Sequence, residues 1–161
     1  MLDMNETMPK FVMLVGFPGA GKSTLASTYA THGFRILSTD SIREEFELHE
    51  PTQIYDVLDI LTSRLRSFLD ASENIVYDST NLSKKQRIKI LEIVKSYNYI
   101  AWCLIIDTPL NICKERNSHR QGYARISEED YAVLEKIYRK PTYHEGWDNI
   151  MTIKETDNAQ N

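Results

Sequence analysis

Cysteine is scarce in this chain of 161 residues. The two present, Cys103 and Cys113, stand at neither a zinc nor a redox spacing, and they read as buried reduced thiols. The four histidines, at 32, 49, 119 and 144, fall at no metal-ligand spacing and read as surface or loop residues. No apolar run approaches the length of a membrane span, and the opening MLDMNETMPK is too polar and acidic for a secretory leader. Repeats, low-complexity tracts and linkers are also lacking. What is left is an ordinary globular composition, 42% hydrophobic and 26% charged, of about one-domain length. A cytoplasmic location is expected.

The net charge of −4 argues neither for nor against a polyanionic partner, but its distribution is uneven. Residues 1–80 carry 6 Lys/Arg against 12 Asp/Glu, whereas 84–125 carry 9 against 3. A basic segment within an acidic chain points to a local anion site.

Mostly apolar runs at 11–15, 34–37, 74–77, 100–106 and 150–153 lack clean alternation, which suits strands buried on both faces of a parallel sheet. Helical patterns separate them. Residues 22–32 close at Gly33, and Ile54, Val57, Leu58, Leu61, Leu65, Phe68 and Leu69 mark an amphipathic helix. Ser83-Lys84-Lys85-Gln86 reads as a capping box for a helix to about Tyr97. Pro109 opens a helix predicted to reach Arg120, and Ser127 begins another with Tyr131, Leu134 and Tyr138 on one face. The expected fold is α/β: a P-loop NTPase with a parallel sheet of about five strands, flanking helices and a helical lid. Residues 1–161 read as a single domain whose ends, 1–10 and 155–161, are flexible.

The chemistry starts at GFPGAGKST. Gly16, Pro18, Gly19, Ala20, Gly21, Lys22, Ser23 and Thr24 follow a strand and open a helix, the context a phosphate-binding P-loop requires. Glycines let successive N–H groups face a phosphate at the positive end of the helix. Lys22 would reach the β- and γ-phosphates, and Ser23 would ligate Mg²⁺. The motifs D-x-x-G and N-K-x-D are absent, so ATP is expected in preference to GTP.

Two further strands end in acids, Asp40 and Asp78, at the edge of the sheet where the P-loop lies. Arg43 follows Asp40 by three residues, placing an acid for a hydroxyl beside a cation for an anion. The alternatives are that Asp40 only caps its helix and that Arg43 pairs with Glu47. Arg116 and Arg120, spaced i, i+4, are predicted on one face of a helix ending near Gly122, where a lid could bring them to the transferring phosphoryl group. They could equally offset the helix dipole. Trp147 reads as a packing residue, with an adenine contact from its loop as the alternative.

In this order, GFPGAGKST, Asp40-Ser41-Ile42-Arg43, Asp78-Ser79-Thr80-Asn81-Leu82 and Arg116-Asn117-Ser118-His119-Arg120 resemble the 5′-kinase domain of bacteriophage polynucleotide kinase. Zeta-toxin-like and other AAA-type P-loop kinases share parts of the set. The resemblance covers about residues 11–140. It implies that Lys22 and Ser23 bind ATP and Mg²⁺, that Asp40 is the general base, and that Arg43 holds the phosphate next to the accepting hydroxyl. It implies further that Asp78 supports the site beside Arg43 or the metal's water, and that Arg120, with Arg116 behind it, stabilises the transferring phosphoryl group. The implied acceptor is a nucleic-acid 5′-OH. A nucleoside, nucleotide sugar or metabolite is the alternative, and an ATP-driven switch without an acceptor is the second. The acidic stretch EEFELHE at 44–50 suits a small acceptor better than a long polyanion.

Overall fold

A computed structural model of the chain describes residues 7–155. The strands are β1 (Lys10–Val15), β2 (Arg35–Ser38), β3 (Ile75–Asp78), β4 (Ile100–Asp107) and β5 (Asn149–Lys154). They form one sheet in the order β2-β3-β1-β4-β5, and every pairing is parallel. The helices are α1 (Lys22–Ala30), α2 (Thr39–Glu45), α3 (Ile54–Asp70), α4 (Lys84–Lys95), α5 (Leu110–Ser118) and α6 (Glu128–Ile137). The ends read as flexible lie largely outside the described residues. Within them, Lys10 opens β1 and Glu155 pairs with Arg116. No helix among the described residues is long and apolar enough to cross a membrane.

β1 explains how the layers are held. Successive side chains of a strand point to opposite faces, and here both faces are covered. Phe11, Met13 and Val15 join a core with Val57, Leu61, Leu65 and Leu69 of α3 and Ile90, Leu91 and Val94 of α4. Val12 and Leu14 pack on the other side with Ala26 of α1, Cys113 of α5 and Tyr131 of α6. The α3 stripe steps by four residues, as its sequence pattern requires. Cys103 and Cys113 are free and buried, and burial pushes the Cys103 thiol up to about 12, so neither is a ready nucleophile.

The α4 face holds an unexpected member. Arg87 occupies the core-facing position one turn before Ile90 and Leu91 and is 0% exposed. Its Nε donates to Glu145 at 2.8 Å, and its other nitrogens donate to the carbonyls of Asn81, Leu82 and Arg139. Burial works to raise the Glu145 carboxyl. Hydrogen bonds from Arg87, from the Thr142 N–H and from Trp147 outweigh it and hold the group below its ordinary range. Trp147 is therefore packed and hydrogen-bonded in the core. Of the Ser83 capping box, the forward half forms: the Ser83 hydroxyl accepts from the Gln86 N–H. The Ser127 box with Asp130 is complete.

Candidate active site

In an all-parallel sheet every strand points its carboxyl end to the same edge, and ligands bind there. The loop after β1 turns directly into α1. Gly19 and Gly21 have φ of +87° and +104°, a region that L side chains seldom adopt. A Cβ on Gly19 would also meet Cys113, at 3.0 Å from its carbonyl carbon and closer still to its oxygen. Ser38, Ser83 and Ser127 cap α2, α4 and α6 with their hydroxyls. The N-terminus of α1 has no side-chain cap, so its orphan N–H groups stay available to an anion.

Lys22 is buried, and its Nζ donates to the carbonyls of Gly16 at 3.0 Å and Phe17 at 2.9 Å. Burial lowers its pKa to about 8, against the opposing pull of Asp78 and Asp40. An arriving phosphate would favour the charged form and raise the pKa again. Ser23 donates to Asp78 Oδ2 at 2.9 Å. Burial raises the Asp78 pKa, while the Ser23 hydrogen bond and Lys22 act to lower it. A hydroxyl and a carboxylate beside a phosphate site form the sparse hard-oxygen set that Mg²⁺ uses with water and phosphate oxygens. Among the described residues no three His, Cys, Asp or Glu side chains gather into a metal cluster.

Asp40 reaches the same edge by register. Ser38 pairs with Asp78 across β2 and β3, and Thr39 Oγ1 donates to Ser79 Oγ at 3.1 Å, latching the start of α2 to the end of β3. Ser38 caps α2, which leaves Asp40 exposed in the first turn, free of the capping role. Its charge acts on both Lys22 and Asp78. Arg43 does not pair with Glu47. It donates to the carbonyl of Leu48 at 2.7 Å and lines the cleft.

The lid differs from the prediction. α5 ends at Ser118, because the N–H groups of His119 and Arg120 bond three residues back, to Arg116 and Asn117, and tighten the last turn. Arg120 therefore lies beyond the helix, not on a face shared with Arg116. It lines the cleft and makes no hydrogen bond or ion pair with the described residues, although its charge is felt by Lys22 and Asp78. Arg116 is committed elsewhere, donating to the Gly19 carbonyl at 3.2 Å and to Glu155 at 2.6 Å. Asn117 clasps the backbone of Ile126 through both ends of its amide, closing the base of the loop between them. At the loop tip Tyr123 stacks on His49 from the far rim, with ring centroids 4.0 Å apart.

Sequence reasoning missed the props of the P-loop. The Tyr131 hydroxyl donates to the Pro18 carbonyl at 2.7 Å, and Thr108 Oγ1 donates to the Ala20 carbonyl at 2.8 Å. These bonds span 113 and 88 residues, so no local pattern announces them. The common cleft has a volume of about 1450 Å³. Single-ligand pockets run to about 300–1,000 Å³, so there is room here for a nucleotide and a second molecule.

A family profile described as an AAA domain matches residues 11–141. Among curated proteins, the bifunctional polynucleotide phosphatase/kinase of Schizosaccharomyces pombe is 23% identical over 148 residues, covering 89% of this chain and 33% of that protein. The chain thus spans about a third of the length of this relative. Among solved structures, a candidate kinase from Chloroflexus aurantiacus superposes with a TM-score of 0.75 at 15% identity, over 96% of this chain and 92% of that one. The APS kinase CysC of Mycobacterium tuberculosis, solved with AMPPNP and APS, gives 0.62 at 16% identity over 92% and 91%.

Proposed function

The chain belongs to this AAA-domain family and has the P-loop kinase fold, and from that premise we propose that it transfers the γ-phosphate of ATP to the 5′-hydroxyl of a polynucleotide. The observation that carries the reading is the single cleft in which Lys22, Ser23, Asp78, Asp40, Arg43 and Arg120 converge with space for two ligands. The similarity to a polynucleotide phosphatase/kinase supports the choice of acceptor.

In this reading the P-loop amides and Lys22 hold the β- and γ-phosphates. Ser23, with Asp78 behind it, would hold Mg²⁺, which when bound supplies charge neutralisation across the β- and γ-oxygens. Asp78 thus serves the metal side. Asp40 accepts the proton of the attacking hydroxyl as the new O–P bond forms and the bond to the bridging oxygen of ADP breaks. In a loose transition state orienting the hydroxyl matters more than removing its proton early. Arg43 holds the phosphate next to the reacting sugar. Arg120, lacking any partner of its own among the described residues, meets the charge on the transferring group. Arg116 is a positioning residue that fixes Gly19.

The test is label transfer from γ-labelled ATP to a 5′-OH oligonucleotide. Asp40→Asn is expected to lower transfer by about 10²–10⁴ while ATP still binds. Undiminished transfer in that variant would remove Asp40 from the chemistry. A second reading, a small-molecule kinase, is favoured by one observation: Glu44, Glu45, Glu47 and Glu50 are all exposed beside Arg43. Labelling of a small acceptor and of no oligonucleotide would select it.

A further inference from the structure

The half of the cleft away from the P-loop has two unlike walls. On α3, Tyr55 lines it in the first turn and is 77% exposed. Its hydroxyl makes no hydrogen bond, and its ring no stacking or cation–π contact, with the described residues. On α4, Lys85 and Lys89 line the same space, one helical turn apart and both exposed. Neither forms an ion pair with a described carboxylate, although five other cations of the chain do.

The placement of the lysines runs against local preference. Lys84 and Lys85 occupy the first turn of α4, the positive end of the helix dipole, with no acid there to offset them. A residue that breaks a local rule without a compensating contact marks function more often than fold. The wider charge pattern agrees. The exposed acids of 44–50 follow Arg43 in the chain, whereas the cleft lining on α4 carries Lys85 and Lys89, so a polyanion leaving the site is favoured along α4.

An accessible aromatic face opposite a row of cations is how proteins hold single-stranded nucleic acid: bases stack on the ring, and the lysines follow the phosphates. Lysines at i and i+4 stand about 6 Å apart at Cβ, close to the interval between neighbouring phosphates of an extended strand. A small polar metabolite would instead call for several convergent hydrogen-bonding groups. We propose that Tyr55, Lys85 and Lys89 form the track for the first nucleotides of a single-stranded acceptor, led along α4 and not past the acidic 44–50 segment. This rests on the polynucleotide reading above and adds the path the strand takes.

The experiment compares two acceptors on the full chain: a single-stranded 5′-OH oligonucleotide of about ten nucleotides, within the usual site size, and a nucleoside 3′-monophosphate. For K85A/K89A, KM for the oligonucleotide is expected to rise on the order of tenfold, and its log–log salt slope to fall by about 1.4, since each single-strand phosphate contact contributes about 0.7. Turnover of the mononucleotide and KM for ATP should not change. Tyr55→Ala should raise the oligonucleotide KM roughly tenfold while Tyr55→Phe leaves it alone, as stacking requires the ring only. A K85A/K89A protein that handles the oligonucleotide as wild type does, or loses equally on both acceptors, overturns the track alone. Wild-type protein that labels no oligonucleotide overturns the polynucleotide reading and the track with it.

Discussion

The two halves of the cleft are built in opposite ways. On the nucleotide side nearly every turn of the loop is braced: Pro18 by Tyr131, Gly19 by Arg116, Ala20 by Thr108, and Gly16 by the Thr80 carbonyl. On the side proposed for the acceptor Asp40, Tyr55, Lys85 and Lys89 stand exposed, with few or no partners. A nucleoside triphosphate is the same molecule for every kinase, so its site can be fixed in advance. Acceptors differ from one kinase to the next, so the residues proposed to meet one are left to the ligand. Substitutions on the first side should cost stability and ATP binding together, and those on the second should cost transfer alone.

Arg120 tests the division most severely, because it lines the cleft with the P-loop yet belongs to no braced network. Arg120→Ala is expected to lower kcat by about a thousandfold, the low end for an arginine that meets the transferring group, with the melting temperature unchanged. A variant that keeps its kcat would return Arg120 to an ordinary cation after a helix.

Gly19→Ala attacks the braced half. The added methyl meets Cys113 backbone, which cannot swing aside, and φ of +87° strains any L residue. Left-handed strain and overpacking together should cost about 2–6 kcal/mol. That corresponds to a melting point lower by on the order of 10 °C, with weakened ATP binding measured alongside. A stable protein with normal affinity would show that the loop is less rigid than its contacts imply.

The smallest effect concerns Lys22. Its pKa of about 8 in the unliganded loop should rise when phosphate replaces two carbonyls, so ATP binding takes up protons. Uptake should be about half a proton near pH 8 and close to one near pH 9, read by calorimetry in buffers of different ionisation heat. No uptake would mean that Lys22 stays with Gly16 and Phe17.

The same division decides what the sequence made legible. The strands and P-loop were readable because their signals are local: apolar runs, glycines at a strand end, a lysine and serine opening a helix. The positions of Asp40 and Asp78 at one edge followed from the parallel sheet. Arg120 was misplaced because two short i→i−3 bonds end α5 before it, and nothing in R-N-S-H-R marks that stop. Arg43 turned to the Leu48 carbonyl because the chain after α2 folds back over it. Arg87 had a signal that went unused, an arginine in phase with Ile90, Leu91 and Val94 on a core face. Its partner Glu145 lies 58 residues on, and only the assembled fold brings them together.

The Tyr131–Pro18 bond has a consequence in time. During synthesis the loop leaves the ribosome early, and the hydroxyl that steadies it follows 113 residues later, about 6–23 s at ordinary elongation rates. β1 waits as well, since its neighbours β3 and β4 are both made after it. A nascent chain therefore carries the signature of a nucleotide site long before it has one. It stays unbraced until α6 has been made.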